Sequence, residues 1–137
     1  MTNIFTNGCF DMFHAGHLKI LYEAKQLGNY LHVGINSDKS IRKLKGPLRP
    51  IINQDQRFEI VSSIKYVDRV YIFDEDTPIE LIKQIKPDII VKGGDWNDKY
   101  IVGSGYSKIV TIPLLPDIST SKIIQKIYGK HLSIMNY

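Results

Sequence analysis

The chain has a single cysteine, Cys9, in 137 residues. One cysteine excludes an internal disulfide and points to a reducing compartment. No stretch of about 18 consecutive apolar residues is present, so no transmembrane helix and no membrane partner are expected. The N-terminus shows no basic-then-apolar signal pattern, and a cytoplasmic location is expected. Internal repeats, low-complexity segments and linker-like stretches are also missing. One domain over residues 1–130, followed by a short tail over 131–137, is the expected organisation. Only four histidines occur. Cys9, Asp11, His14 and His17 could each bind a metal, but they fall within nine positions and no distant His/Cys cluster completes them, so no structural metal site is expected.

What is present is ordinary in amount and specific in pattern. Apolar residues make up 43% of the chain and charged residues 23%, and the net charge is +4. Such a balance fits a globular domain with an anionic ligand. Strand and helix signals alternate. Strands are expected at Ile4–Thr6, Tyr30–Ile35, Val70–Phe73, Ile89–Lys92 and Ile109–Ile112. A first helix is expected from about Gly16 to Leu27, with Leu18, Leu21, Ala24 and Leu27 on one stripe and Gly28 as its stop. Asn53 to Gln56 read as the start of a second helix. Thr77-Pro78-Ile79-Glu80 read as a capping box with proline at the first helical position. A final helix opens at Ser119 and is expected to stop at Gly129. The alternation predicts an α/β fold: a single-domain, Rossmann-like, three-layer α/β/α arrangement around a mainly parallel five-stranded sheet.

In such sheets ligands bind beyond the carboxyl ends of the strands. Each polar cluster of interest follows a strand: Asn7 to His17, Asn36 to Asp38, Lys92 to Trp96, and Pro116 to Lys122. The most informative is His14-Ala15-Gly16-His17, set at a strand-to-helix junction where free N–H groups and the helix dipole attract anions. Gly8 and Gly16 are expected to let phosphates approach the backbone. Cys9 is expected to be a packed residue of the site wall and not a nucleophile. Lys39, Arg42, Lys43, Lys45 and Arg49 lie around Gly46-Pro47. No aromatic residues are interleaved with them, so a nucleic-acid partner is not expected, and a mobile basic flap over a polyphosphate is the preferred reading. Ser119, Thr120 and Ser121 supply three hydroxyls where capping needs one, which predicts a second phosphate site. Trp96 either stacks on a base or closes the core edge.

Thr6-Asn7-Gly8-Cys9-Phe10-Asp11 followed by His14-Ala15-Gly16-His17 resembles the HxGH nucleotidyltransferase superfamily, the cytidylyltransferase-like enzymes. The resemblance extends through Asn36-Ser37-Asp38, Lys45-Gly46, Arg49-Pro50, Arg57, Asp76-Thr77-Pro78, Lys92-Gly93-Gly94-Asp95 and Ser119-Thr120. That set looks most like the adenylyltransferase domain of bacterial heptose-1-phosphate adenylyltransferases, and covers roughly residues 3 to 128. It implies an enzyme that transfers a nucleoside monophosphate from ATP to a sugar phosphate, with Mg2+ accompanying the nucleotide. By this resemblance His14, His17, Lys45 and Arg57 are catalytic. Asn7, Gly8, Cys9, Phe10, Gly16, Lys92, Gly94, Asp95, Trp96, Ser119 and Thr120 bind the nucleotide, and Asp11, Asp38 and Lys43 bind the acceptor. A homodimer is expected, because Tyr66 to Val70 matches a subunit-contact segment of glycerol-phosphate cytidylyltransferases. Trp96 also resembles those CTP enzymes, whereas Leu115 to Asp117 lacks their arginine-bearing segment. CTP with glycerol 3-phosphate is thus the alternative reaction, and a non-catalytic nucleotide-binding module the alternative class.

Overall fold

Five parallel strands form one sheet in the order β3-β2-β1-β4-β5, with β1 at Asn3–Gly8, β2 at Tyr30–Asn36, β3 at Arg69–Phe73, β4 at Ile89–Gly93 and β5 at Lys108–Ile112. The computed structural model describes residues 1–94 and 100–135, with side chains as far as residue 131. Every strand pair is parallel: Ile4 pairs with Leu31 and Ile89, Val33 with Val70, and Val91 with Val110. All strand ends that carry loops toward the histidines therefore point the same way. The order reverses between β1 and β4, which is where a doubly wound sheet opens a ligand crevice.

Strand residues alternate between the two faces. Ile4, Leu31, Val33, Ile35 and Val91 pack with Leu21 and Ala24 of helix α1 (Ala15–Gln26) and Val61 of helix α3 (Gln54–Ser62). Phe5 and Ile90 pack on the other face with Ile82 of helix α4 (Ile79–Ile85). This is the expected three-layer arrangement, and the sheet is wholly parallel. Leu21 and Ala24 are fully buried, as the helical stripe requires, whereas Leu18 and Leu27 are partly exposed at its ends. Gly28 follows the helix end for a reason other than a left-handed turn. A Cβ there would sit 2.7 Å from the Thr2 carbonyl oxygen and from Ile4 Cδ1.

Three expectations are corrected. The basic run does not form a flap: residues Asp38–Lys45 are a helix, α2, capped by Ser37, whose Oγ accepts from Ser40 N at 3.1 Å. Asp38 in its first turn and Arg42, Lys43 and Lys45 in its last complement the dipole, and Ile41 is its one buried large apolar residue. The capping box at Thr77 does not form. Pro78 is itself the N-cap, without a side-chain bond, and its carbonyl accepts from Ile82 N at 2.9 Å. Gly129 does not end the last helix, α5, which runs from Thr120 to Met135 and crosses the expected boundary between domain and tail. A glycine inside a helix costs about 1 kcal/mol relative to alanine, which weakens but does not stop it.

Candidate active site

Past β1 the chain turns sharply, with Phe10 and Met12 both in the left-handed region, at φ 51° and 52°. Two such residues that are not glycine are strained positions, held by their surroundings. Between them the Asp11 carboxylate turns inward and is fully buried. It accepts from Arg49 Nε at 2.9 Å, Ile51 N at 2.8 Å and Ile52 N at 2.9 Å. Burial alone would raise its pKa, but the two backbone donors and the Arg49 guanidinium outweigh that and hold it below the ordinary carboxylate range. Its backbone carbonyl accepts from Thr120 Oγ1 at 2.6 Å. Asp11 thus binds the histidine loop to residues 49–52 and to the start of α5.

His14 is the N-cap of α1. Its Nδ1 accepts from Gly16 N at 3.1 Å, while His17 Nδ1 accepts from His14 N at 3.2 Å, a reciprocal capping box made of two imidazoles. Because both Nδ1 atoms are acceptors, each neutral ring carries its proton on Nε2. The rings stack with centroids 3.7 Å apart, and Phe10 and Phe13 lie 5.2 and 5.4 Å from His17. Burial, followed by the positive potentials of His14 and Lys45, pushes His17 down to about 4, and Asp11 offsets only part of this. Burial lowers His14 as well. Two neutral N–H donors result. Gly16 is required here by His14 itself, since a Cβ would come within 2.9 Å of the folded-back ring.

Both histidines line a cleft of about 230 Å³ together with Gly16, Lys45, Ser119, Thr120 and Ser121, walled by Ile20, Leu114, Leu115 and Ile118. Lys45 comes from the last turn of α2 and the three hydroxyl residues from the start of α5. Ser119 Oγ accepts from Lys122 N at 3.1 Å, the expected cap. A cation, two imidazole donors, hydroxyls and a helix N-terminus around one small space form an anion site of phosphate character.

Other expected site residues lie elsewhere. Arg57 is 1% exposed and does not reach the cleft. Its Nη1 donates to Cys9 O at 2.8 Å and Asn36 O at 2.7 Å, its Nε to Ile52 O at 2.9 Å, and its Nη2 to Asp38 Oδ1 at 2.9 Å. Its guanidinium ties the ends of β1 and β2 to the segment before α3. Asp38 is held in that pair, and Asp11 in its own, so neither carboxylate is free to orient an acceptor. Lys43 pairs with Asp76 in solvent at 3.0 Å. Cys9 is partly buried, its thiol pushed up by burial, and it lies 3.9 Å from Asn36 Oδ1. It is packed, as expected, but it does not line the histidine cleft. Phe10 packs on His17, and a Cβ on Gly8 would press on the Phe10 ring at 3.2 Å, so Gly8 serves the loop's own packing. Lys92 Nζ hydrogen-bonds Asn7 Oδ1. Gly94, at φ 99°, donates to Ile112 O at 2.8 Å and borders a second cleft of about 420 Å³ with Thr111, Pro113 and Leu114. Asp95 and Trp96 lie outside the described residues. Arg49 was missed as a site-forming residue. The basic run and the Arg49-Pro50 pair marked it without a role, and its partner stands 38 positions earlier.

Among the described residues, no group of three or more His, Cys, Asp or Glu side chains could hold a metal ion. No described helix is long and apolar enough to cross a membrane. The chain is 53% identical over 128 residues to a "Bifunctional protein HldE" of Campylobacter jejuni subsp. doylei, covering 93% of this chain and 28% of the relative. A protein of the same name from Wolinella succinogenes is 52% identical over 92% of this chain and 27% of its own length. The chain thus spans little more than a quarter of these relatives. A solved structure described as a lipopolysaccharide core biosynthesis protein, from Thermoplasma volcanium, superposes with a TM-score of 0.67 at 27% identity, covering 84% of this chain and 97% of that one. Pantothenate synthetase from Thermus thermophilus shares the fold alone, at 11% identity and a TM-score of 0.60 over 88% of this chain and 63% of its own. Residues 5–126 match the cytidylyltransferase-like family, and the chain, with its paired histidines in one cleft, belongs to that family of nucleotidyltransferases.

Proposed function

We propose that this domain transfers AMP from ATP to heptose 1-phosphate and releases pyrophosphate. The observation that carries the choice of substrates is the 53% identity with the HldE protein of Campylobacter jejuni subsp. doylei over 93% of the chain. The motif resemblance to heptose-1-phosphate adenylyltransferases points the same way, and the cleft supplies groups suited to the chemistry. An ionised oxygen of the sugar phosphate attacks the α-phosphorus in line, and the bridging oxygen leaves with pyrophosphate. The attacking oxygen already carries its charge, so no general base is needed. Neutral imidazoles suit that task, because their role is to donate hydrogen bonds to oxygens that gain charge. His14 and His17 donate from Nε2, Lys45 meets the departing phosphates, and Ser119 to Ser121 receive the β/γ end. Asp11 and Arg57 act from behind the cleft, holding the three segments that carry these groups.

Mg2+ carried by the triphosphate would, when bound, supply charge neutralisation on the leaving group. The Asp11 and Asp38 carboxylates are bound to Arg49 and Arg57, so neither is free to hold the metal. The test is a grid of ATP, CTP, GTP and UTP against heptose 1-phosphate, other sugar 1-phosphates and glycerol 3-phosphate, scored by pyrophosphate release. ATP with heptose 1-phosphate is expected to lead clearly. CTP turning over with glycerol 3-phosphate while ATP stays inert would overturn the assignment.

A further inference from the structure

Asn7 and Lys92 lie near the carboxyl ends of two neighbouring strands, each one residue beyond the paired Thr6 and Val91. Strand parity sets the side on which they stand. Ile4 and Val91 face α1, whereas Phe5 and Ile90 face α4. Asn7 and Lys92 follow Phe5 and Ile90 by two residues and share the α4 side. Neither lines the histidine cleft, which opens on the α1 side between α1, the end of α2 and the start of α5. Two polar side chains thus meet across the strand ends from the site that receives the nucleotide phosphates.

The Lys92 ammonium is largely withdrawn from water, and burial pushes it down to about 8. Its hydrogen bond runs to a neutral amide oxygen, and among the described residues no carboxylate forms an ion pair with it. A buried cation with a neutral partner is costly, and an anion arriving beside it relieves that cost. Stereochemistry indicates which anion. In-line displacement places the attacking oxygen opposite the leaving group. If pyrophosphate departs toward Lys45 and the start of α5, the acceptor must enter from the opposite side, where Asn7 and Lys92 stand.

We infer that Lys92, oriented by Asn7, anchors the phosphomonoester of the acceptor substrate. The ammonium holds one phosphate oxygen and leaves another free to form the new bond to the α-phosphorus. The bond from that phosphorus to the α–β bridging oxygen breaks, and its electron pair leaves with pyrophosphate. No proton is transferred. This inference rests on the proposed adenylyl transfer but not on the identity of the sugar.

The experiment is calorimetric titration of heptose 1-phosphate, and separately of glycerol 3-phosphate, into the intact chain with magnesium and a non-hydrolysable ATP analogue. The wild type is compared with Lys92→Met and Lys92→Arg. The methionine variant should bind the acceptor at least about tenfold more weakly, since a charge-assisted bond is lost. The arginine variant should stay within about threefold, because the charge remains. Because this assignment replaces the nucleotide-binding role that the resemblance implies for Lys92, affinity for the analogue should be unchanged in both. Acceptor affinity unaltered in Lys92→Met, or a loss that falls on the nucleotide instead, would overturn the inference. A wild type that binds neither phosphomonoester would overturn it as well. Lys92-dependent binding of glycerol 3-phosphate with none of heptose 1-phosphate would support the anchor and refute the sugar assignment. Lys92→Gln, which retains a hydrogen bond to Asn7, replaces the methionine variant if circular dichroism shows that the latter is unfolded.

Discussion

Replacing His17 with alanine separates two roles that the structure combines in one ring. Its Nδ1 accepts the His14 backbone N–H at 3.2 Å, a capping contact, while the ring lines the cleft, where the proposed mechanism uses its Nε2–H. Loss of the cap should cost about 1 kcal/mol of stability. For a domain of this size that lowers the melting temperature by about 2–6 °C. Loss of a donor aimed at charge that develops in the transition state should cost about 3–4 kcal/mol, or about 10²–10³-fold in kcat. The two readouts are thermal melting and pyrophosphate release at saturating ATP, with nucleotide affinity measured separately. A pH series adds a sign. His17 titrates at about 4 in the fold, against about 6.5 when unfolded. Below about pH 6.5 the unfolded chain binds more protons, so this stability contribution is fully present above that pH. It is lost as pH falls toward 4, amounting to about 3 kcal/mol when the loss is complete. The alanine variant should lack that slope. Wild-type kcat should not require a protonated His17 and should stay level between about pH 8 and 6. A kcat within about tenfold of wild type in His17→Ala, with nucleotide bound, would refute the donor role. So would activity that rises as the histidine acquires a proton.

Two other outcomes follow from the same geometry, and a third from the resemblance of Tyr66 to Val70 to a subunit-contact segment. Arg57→Met should act on the fold first: it leaves the carbonyls of Cys9, Asn36 and Ile52 and the Asp38 carboxylate without their shared donor, which should cost about 3–5 kcal/mol in denaturant unfolding. Lys45→Ala should lower kcat far more than it weakens ATP binding, because the charge that it meets grows as pyrophosphate departs; stopped-flow binding beside steady-state turnover separates the two. The purified chain should sediment as a homodimer at micromolar concentration, and monomer mass alone in analytical ultracentrifugation would remove that expectation.

The elements that sequence reveals best are those whose periodicity is carried by apolar residues. Leu21 and Ala24 mark the buried stripe of α1, and the strands around Ile4, Val33 and Val91 follow from short apolar runs. Helix α2 was hidden because Ile41 is its one large buried apolar residue, and five basic residues around a Gly-Pro pair read as a mobile flap. The last helix was read too short because Gly129 is a frequent stop signal, yet here it lies inside α5. At the site, residues that act locally were legible: His14, Gly16 and His17 from their spacing, and Ser119 and Thr120 from their place before a helix. Roles that depend on distant partners were not. Asp11 and Arg57 carry charge in conspicuous motifs, which suggested contact with substrate. Their partners, Arg49, Ile51 and Ile52 for the first, and the Cys9, Asn36 and Ile52 carbonyls for the second, are set by tertiary packing alone. A buried charge and a catalytic charge look the same until the fold shows which acceptors surround them.

The most direct measurement is phosphorus NMR of the chain with ATP, magnesium and heptose 1-phosphate. Attack at the α-phosphorus should yield pyrophosphate and an ADP-linked sugar in equal amounts, with no orthophosphate and no free ADP. His14→Ala and His17→Ala should both slow their appearance without changing the products. Orthophosphate with ADP would place the reaction at the γ-phosphorus, and unaltered ATP in the presence of the acceptor would leave the cleft without the transfer assigned to it.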